Sequence, residues 1–200
     1  GAVEEALSKI ERMVMQEIEV KAVRVPVFEA LKQLIVAGNV LLYLPDKGQA
    51  RVFRLDRYVC KRDAMGNVLE IITKETLSPL SLPPPAKELV VNENNPMESV
   101  DLFTCVKWEG SKWAVYQEIG GEEVPGSRGT YKKGKCPFLP LRFTSVDSED
   151  YGRGYVEEYI GDLKSLESLT QSIVEGSAAA AKVLFLVRPN GTTRLKSLAD

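Results

Sequence analysis

Residues 155–181 read YVEEYIGDLKSLESLTQSIVEGSAAAA, and the architecture turns on how that run is interpreted. Tyr155, Tyr159, Leu163, Leu166, Leu169, Ile173 and Ser177 recur at steps of three and four, the period of one helix face. Glu157, Glu158, Asp162, Lys164 and Glu167 fill the remaining positions, and Ala178 to Ala181 are the strongest helix formers. A helix over Tyr155–Ala181 would be roughly 40 Å long at 1.5 Å per residue, well beyond the mean globular helix. Such a helix either spans a large core or packs against copies of itself. Beyond it, Val183 to Val187 reads as a short apolar strand, ended by the turn Pro189-Asn-Gly191.

Upstream, the chain opens directly on a helical pattern. Val3, Leu7, Ile10, Val14 and Ile18 form an amphipathic stripe, with Glu4 and Glu5 at the positive end of the helix dipole. A second helix is expected with Pro26 in its first position, Val27, Leu31, Leu34 and Ile35 as its buried face, and Gly38-Asn39 as its left-handed stop. Val40 to Leu44 is continuously apolar and reads as a strand buried on both faces. Asp46-Lys-Gly48 turns the chain, Val52 to Leu55 alternates, and the loop Asp63–Asn67 joins strands Tyr58–Lys61 and Val68–Thr73. Between Leu77 and Pro96, five prolines and three asparagines leave room for a short helix from Pro84 or Pro85 to Val90. Strands resume at Val100–Trp108 and Trp113–Ile119 around the tip Glu109–Lys112, with Trp108 and Trp113 as a cross-strand pair. Gly120, Gly121, Gly126 and Gly129 are expected to break regular structure until Phe138–Phe143, whose Pro140 demands an edge or a bulge. The fold class is α+β: two N-terminal helices, an antiparallel strand meander and one long C-terminal helix.

Composition removes several function classes. In 200 residues there is no histidine, so imidazole bases and imidazole metal ligands are excluded. Lys+Arg is 26 against Asp+Glu 28, too balanced for a strongly basic nucleic-acid binder. Cys60, Cys105 and Cys136 are odd in number and far apart, so they offer neither a zinc ribbon nor a redox dithiol and read as buried, reduced thiols. Asn190-Gly-Thr192 matches a glycosylation acceptor but reads as a turn, and no apolar run reaches the roughly 18 residues of a membrane span.

The motifs that could carry chemistry are near misses. Gly129–Lys135 fits G-x-x-x-x-G-K, but Cys136 replaces the hydroxyl, and Pro137 and Pro140 prevent the helix a phosphate loop needs. Gly152-Arg-Gly154 lacks the third glycine of a dinucleotide fingerprint and reads as the turn that opens the long helix. Asp147, Glu149 and Asp150 could hold a hard cation, but at a helix start they read as caps and dipole partners. Arg128, Lys132, Lys133, Lys135 and Arg142 face no acid within their stretch, and Arg51, Arg54, Arg57, Lys61 and Arg62 have only Asp56; either group could meet phosphate. No catalytic, cofactor-binding or metal-binding residues are assigned.

Four blocks, in order, carry a resemblance. VFEALKQLIVAGNVLLYLP at 27–45, RDAMGNVL at 62–69, CPFLPLR at 136–142 and YGRGYVEEYIGDLKSLESL at 151–169 closely resemble the portal, or head-to-tail connector, proteins of short-tailed bacteriophages. The resemblance implies a structural, non-enzymatic subunit without cofactor. It would sit in a ring, typically of twelve copies, at one capsid vertex, through which double-stranded DNA is packaged by a separate terminase and later ejected. By similarity, residues 1–146 would be a wing portion, 147–182 the stem helix and 183–200 the start of the clip. The abrupt opening on Gly1 and the end at Asp200 would then mark a piece of a longer protein. Implied partners are further copies of itself, double-stranded DNA bound transiently without sequence preference, terminase, and capsid and tail adaptor proteins, with no membrane. The implied location is the virion, and the host cytoplasm during assembly. Tyr155, Tyr159, Leu163, Leu166, Leu169 and Ile173 are the expected stem-packing residues, and Lys132, Lys133 and Lys135 the candidate DNA-phosphate contacts. Two other readings remain: an adaptor or scaffold domain without a channel, and an enzyme using carboxylates such as Glu157 or Asp162. Helical carboxylates beside lysines are more often surface pairs.

Overall fold

The computed structural model describes residues 1–82, 84–90 and 98–182. Gly1–Tyr159 forms one compact unit, and a second begins at Ile160. The expected strand Val183–Val187, the turn Pro189–Gly191 and the clip portion 183–200 lie outside the described residues.

The first unit opens with α1 (Ala2–Val20) and α2 (Arg24–Ala37). Helix α1 forms where its periodicity places it, yet its stripe is uncovered: Val3, Leu7, Ile10 and Val14 are all more than half exposed. It closes on Ala22 in the left-handed conformation (φ 49°), with the Val23 N–H reaching back to Ile18 O at 3.2 Å. Helix α2 begins two residues before Pro26, which its first turn accepts because those N–H groups have no partner within the helix. Its buried face also differs from the expected one. Ala30 is buried and Val27 and Leu34 half-buried, whereas Leu31 and Ile35 point outward, so the face α2 turns to β1 is the one centred on Ala30.

Two antiparallel sheets follow. The smaller has the order β2 (Arg51–Phe53), β1 (Asn39–Tyr43), β9 (Phe138–Arg142). Central β1 is buried along four of its five residues, as a continuous apolar run requires. Strand β9 lies at the edge with Pro140 opposite Leu41, where a missing N–H costs no ladder bond. The larger sheet runs β3 (Tyr58–Arg62), β4 (Val68–Leu77), β5 (Val100–Trp108), β6 (Lys112–Ile119), β7 (Glu122–Glu123), with β8 (Gly129–Lys132) also on β6. The glycine-rich stretch therefore holds two strands that were not expected. Gly120 and Gly121, both at positive φ, make a two-residue hairpin turn, and Gly129 itself opens β8. A short helix α3 (Pro84–Glu88) brings Ala86 against Leu82, Leu102, Ile119 and Val124, while Leu41, Phe53, Tyr58, Cys60, Ile71, Val106 and Phe138 form the main core.

The helix expected from Tyr155 to Ala181 is interrupted. Helix α4 (Tyr155–Glu158) ends at Tyr159 (φ −108°, ψ 18°), and α5 (Ile160–Ala180) starts anew. The break falls beside β-branched Ile160 and Gly161, although Gly176 sits inside α5 without breaking it.

Three segments cross where α2 passes into β1. The Asn39 side chain, almost fully buried, donates to Ala37 O (3.1 Å) and Gly152 O (2.8 Å) and accepts from the Gly152 N–H (2.7 Å). A Cβ on Gly38 would lie 2.3 Å from Gly154 N, and one on Gly154 would lie 2.7 Å from Gly38 N. Asn39→Ala leaves both Gly152 backbone groups buried without partners, so chemical denaturation is expected to show a loss of about 2–4 kcal/mol. Asn39→Asp keeps the acceptor but sets a buried carboxylate against two carbonyl oxygens, which raises its folded pKa. Its stability should therefore be greater at pH 4 than at pH 7, falling as pH rises.

Candidate assembly and nucleic-acid surfaces

The crossing fixes how the chain leaves the first unit. Thr144 and Arg153 pair as an antiparallel bridge, and the Phe143 N–H bonds Gly38 O at 2.9 Å. Gly154, extended at φ −88° and ψ 159°, then caps α4. Gly152-Arg-Gly154 is thus the helix-opening turn its sequence predicts, with a second demand that a single sequence hides: both glycines are required by backbone packed against them. Two of the three acids in the cluster, Glu149 and Asp150, are engaged by the fold. Asp150 Oδ1 accepts from the Arg62 N–H (2.6 Å), and Arg153 bridges Glu149 (3.0 Å) and Glu157 (2.6 Å). Those two carboxylates hold the Arg153 guanidinium above its ordinary pKa, the Glu157 hydrogen bond contributing most. No group of three metal-ligating side chains occurs among the described residues.

Of the six stem-packing residues, Leu163, Leu166, Leu169 and Ile173 lie on α5, Tyr155 on α4 and Tyr159 at the break, so they do not share one continuous helix. Tyr155 and Tyr159 form a tilted ring pair with centroids 4.6 Å apart. On α5 the stripe is bare: Leu166, Leu169 and Ile173 are 62%, 62% and 68% exposed. Three of its five hydroxyls bond within the helix, Ser165 donating to Gly161 O, Thr170 to Leu166 O and Ser172 to Ser168 O. Helix α5 thus leaves an uncovered apolar stripe beside an exposed polar face.

The basic residues separate into two groups. Arg62 is structural: it donates from Nη1 to Gly66 O (2.9 Å), from Nη2 to Pro140 O (2.8 Å) and from Nε to Asp150 O (3.1 Å), tying β3 to β9. Arg51 pairs with Glu75, and Arg54 and Arg57 with Asp56. Arg128, read as facing no acid, makes a two-pronged pair with Glu123 across the glycine-rich turn, so that reading is corrected. Lys132, Lys133 and Lys135 stay exposed, and none pairs with a carboxylate among the described residues. They occupy a tight turn at the end of β8, closed by the Lys135 N–H on Lys132 O at 2.9 Å, with Gly134 at φ 80°. The turn leads toward strand β9 and not into a helix, so it has none of the amide geometry of a phosphate loop.

A further lysine joins this turn. Lys112 lies directly opposite Lys132 in the β6–β8 ladder, an arrangement that costs stability unless something anionic meets it; Glu109 approaches Lys112 only at 3.7 Å. The sequence missed Lys112 because nothing local signals the β6–β8 register. Beside the turn, Trp108 and Trp113, with centroids 5.1 Å apart as their hairpin positions predict, help to line an open cleft of about 530 Å³ that also reaches Lys133, Leu139 and Pro140. Burial raises the pKa of all three thiols, Cys60, Cys105 and Cys136, with Cys60 and Cys105 buried and Cys136 half-buried.

Residues 1–199 match the family model of the bacteriophage head to tail connecting protein, and the chain belongs to that family. It is similar to the portal proteins of Escherichia phage T7 and Enterobacteria phage T3, at 43% identity over 98% of the chain in each case, and to that of Enterobacteria phage SP6, at 29% over 93%. The chain spans 37–38% of the length of these relatives. No helix among the described residues is long and apolar enough to cross a membrane.

Because Lys135 is exposed and makes no ion pair among the described residues, Lys135→Ala is expected to leave the unfolding free energy within about 0.5 kcal/mol of the parent. A larger loss would mean that the turn supports the fold.

Proposed function

We propose that this chain is part of a portal subunit: a structural piece of the ring that joins capsid to tail and through which double-stranded DNA is packaged and ejected. The observation that carries this reading is the similarity to portal proteins along 98% of the chain. The segments divide as wing portion 1–146, stem helix 147–182 and start of the clip 183–200, in a ring of twelve copies. The ring belongs to the virion, is assembled in the host cytoplasm, and meets terminase, capsid and tail adaptor proteins.

In this reading the bare face of α5, Leu163, Leu166, Leu169 and Ile173, is covered by other parts of the ring, and Tyr155 and Tyr159 pack at its base. Fully burying one such leucine or isoleucine is worth roughly 1.5–3 kcal/mol, and a ring repeats that gain at every interface. Lys132, Lys133 and Lys135 meet DNA phosphates weakly. A conveyor must release its cargo, so contacts should neutralise phosphate without reading bases. From Tyr151 to Asp200 there are six acids and six bases, which suits a surface that does not grip. The chain itself performs no catalysis; the energy for packaging comes from the terminase.

Electron microscopy of the whole protein should show closed rings with a central hole. Leu166→Asp should abolish them without shifting the melting of the first unit; rings indifferent to that change would remove α5 from the interface. In gel-shift titrations, affinity should fall steeply with salt, by a log–log slope of about 0.9 for each phosphate neutralised, and replacing the three lysines by alanine should flatten it. A complex that resists moderate salt or prefers one sequence would contradict the conveyor, and ATP hydrolysis lost in Lys135→Ala would contradict the absence of catalysis.

A further inference from the structure

Two helical faces of the first unit carry apolar side chains that nothing else in the described chain covers. On α1, Val3, Leu7, Ile10 and Val14 are 72%, 59%, 57% and 53% exposed. With about 3.6 residues per turn, Glu4 and Glu11 border one side of this stripe and Glu17 the other, while the helix's only cations, Lys9 and Arg12, lie on the opposite face. The second face belongs to α2. Ala30 looks inward, and on the other side stand Val25, Phe28 and Ile35, 73%, 61% and 48% exposed. Lys32 lies among them, its Nζ 4.4 Å from the centre of the Phe28 ring. One face is apolar with acidic margins, and the other is apolar with Lys32 at its centre and the exposed Glu29 at one margin.

The two faces do not cover each other within one chain. The left-handed Ala22 ends α1, and Lys21 Nζ reaches Pro45 O at 3.5 Å, which anchors the end of α1 on the β1–β2 turn instead of folding the helix back along α2. Intrachain ion pairs already engage Glu17 with Lys21 and Arg24 with Glu19. Glu11, Arg12, Glu29 and Lys32 have no such partner among the described residues; Arg12 lies on the far side of α1 and Glu29 at the edge of the α2 face, so Glu11 and Lys32 are the complementary charges that the two apolar faces present.

We propose that α1 of one copy docks on the outward face of α2 of a second copy, with Glu11 toward Lys32. The occupant of each face is thus the same chain, head to tail. Self-pairing of like faces is disfavoured on both sides: α1 on α1 opposes Glu4 and Glu11 to their own copies, and α2 on α2 opposes Lys32 to itself. A contact between two different faces, repeated by rotation, gives a ring when the rotation closes and an open filament when it does not, so this interface rests on the ring reading above for its closure and adds to it a contact in the wing portion.

Cysteine cross-linking of the whole protein tests it, in a Cys136→Ser background that leaves Cys60 and Cys105 buried. With Ile10→Cys and Phe28→Cys in one chain, a flexible bis-maleimide should give a ladder extending beyond the dimer, while either substitution alone should give no ladder. Glu11→Lys or Lys32→Glu should each weaken the ladder at least tenfold, and the two together should restore it; both are exposed positions whose exchange leaves the fold intact. A dimer from Ile10→Cys alone, an internally linked monomer, or no linkage while microscopy still shows rings would each overturn the interface and leave the ring reading standing. Absence of rings from the unmodified protein would instead overturn the ring reading, and the ladder would still decide whether the two helices meet.

Discussion

The arrangement of the first unit depends on one buried side chain. Asn39 uses its amide to close three hydrogen bonds, two of them with Gly152, a residue 113 positions away. No smaller side chain could satisfy both the N–H and the carbonyl of that glycine, and a buried backbone group left without a partner is expensive. The contact is possible only because Gly38 and Gly154 let two backbones approach where any Cβ would collide. The junction thereby links the end of α2, the start of β1, the chain leaving β9 and the cap of α4.

That junction accounts for the contrast between a well-packed interior and several bare helical faces. Arg62 ties the two sheets together through carbonyl oxygens, and the Tyr151 hydroxyl accepts from the Cys60 N–H at 3.0 Å, so the segment before α4 is held from both sides. Among the described residues only the Thr73 hydroxyl is buried without a partner, and α1, α2 and α5 leave apolar stripes uncovered beside their charged faces. Exposed stripes of this extent are what a subunit of a larger assembly presents before its neighbours are in place.

Much of this was legible in the residues. The apolar run at Val40–Leu44 predicts a central strand, Pro140 predicts an edge, and Trp108 and Trp113 predict each other across a hairpin. These features depend on local period or on the chemistry of one residue. What stayed hidden depended on residues far apart in the chain. The face that α2 turns to β1 depends on tertiary packing, the Arg128–Glu123 pair on a glycine-containing turn, and the place of Lys112 beside Lys132 on strand register. The break at Tyr159 was masked by a stripe whose spacing continues unbroken through Gly161. The candidate surfaces followed the same division: the stem residues were recognisable as a stripe, but their separation into two elements was not.

Amide hydrogen exchange at Gly152 tests the central claim most directly. If Asn39 clamps that residue, its N–H should exchange as slowly as those of Leu41 and Leu42 in β1, opening only with the whole first unit. Exchange at the rate of an exposed loop, with β1 still protected, would show that the junction is not the constraint on which the rest of the unit depends.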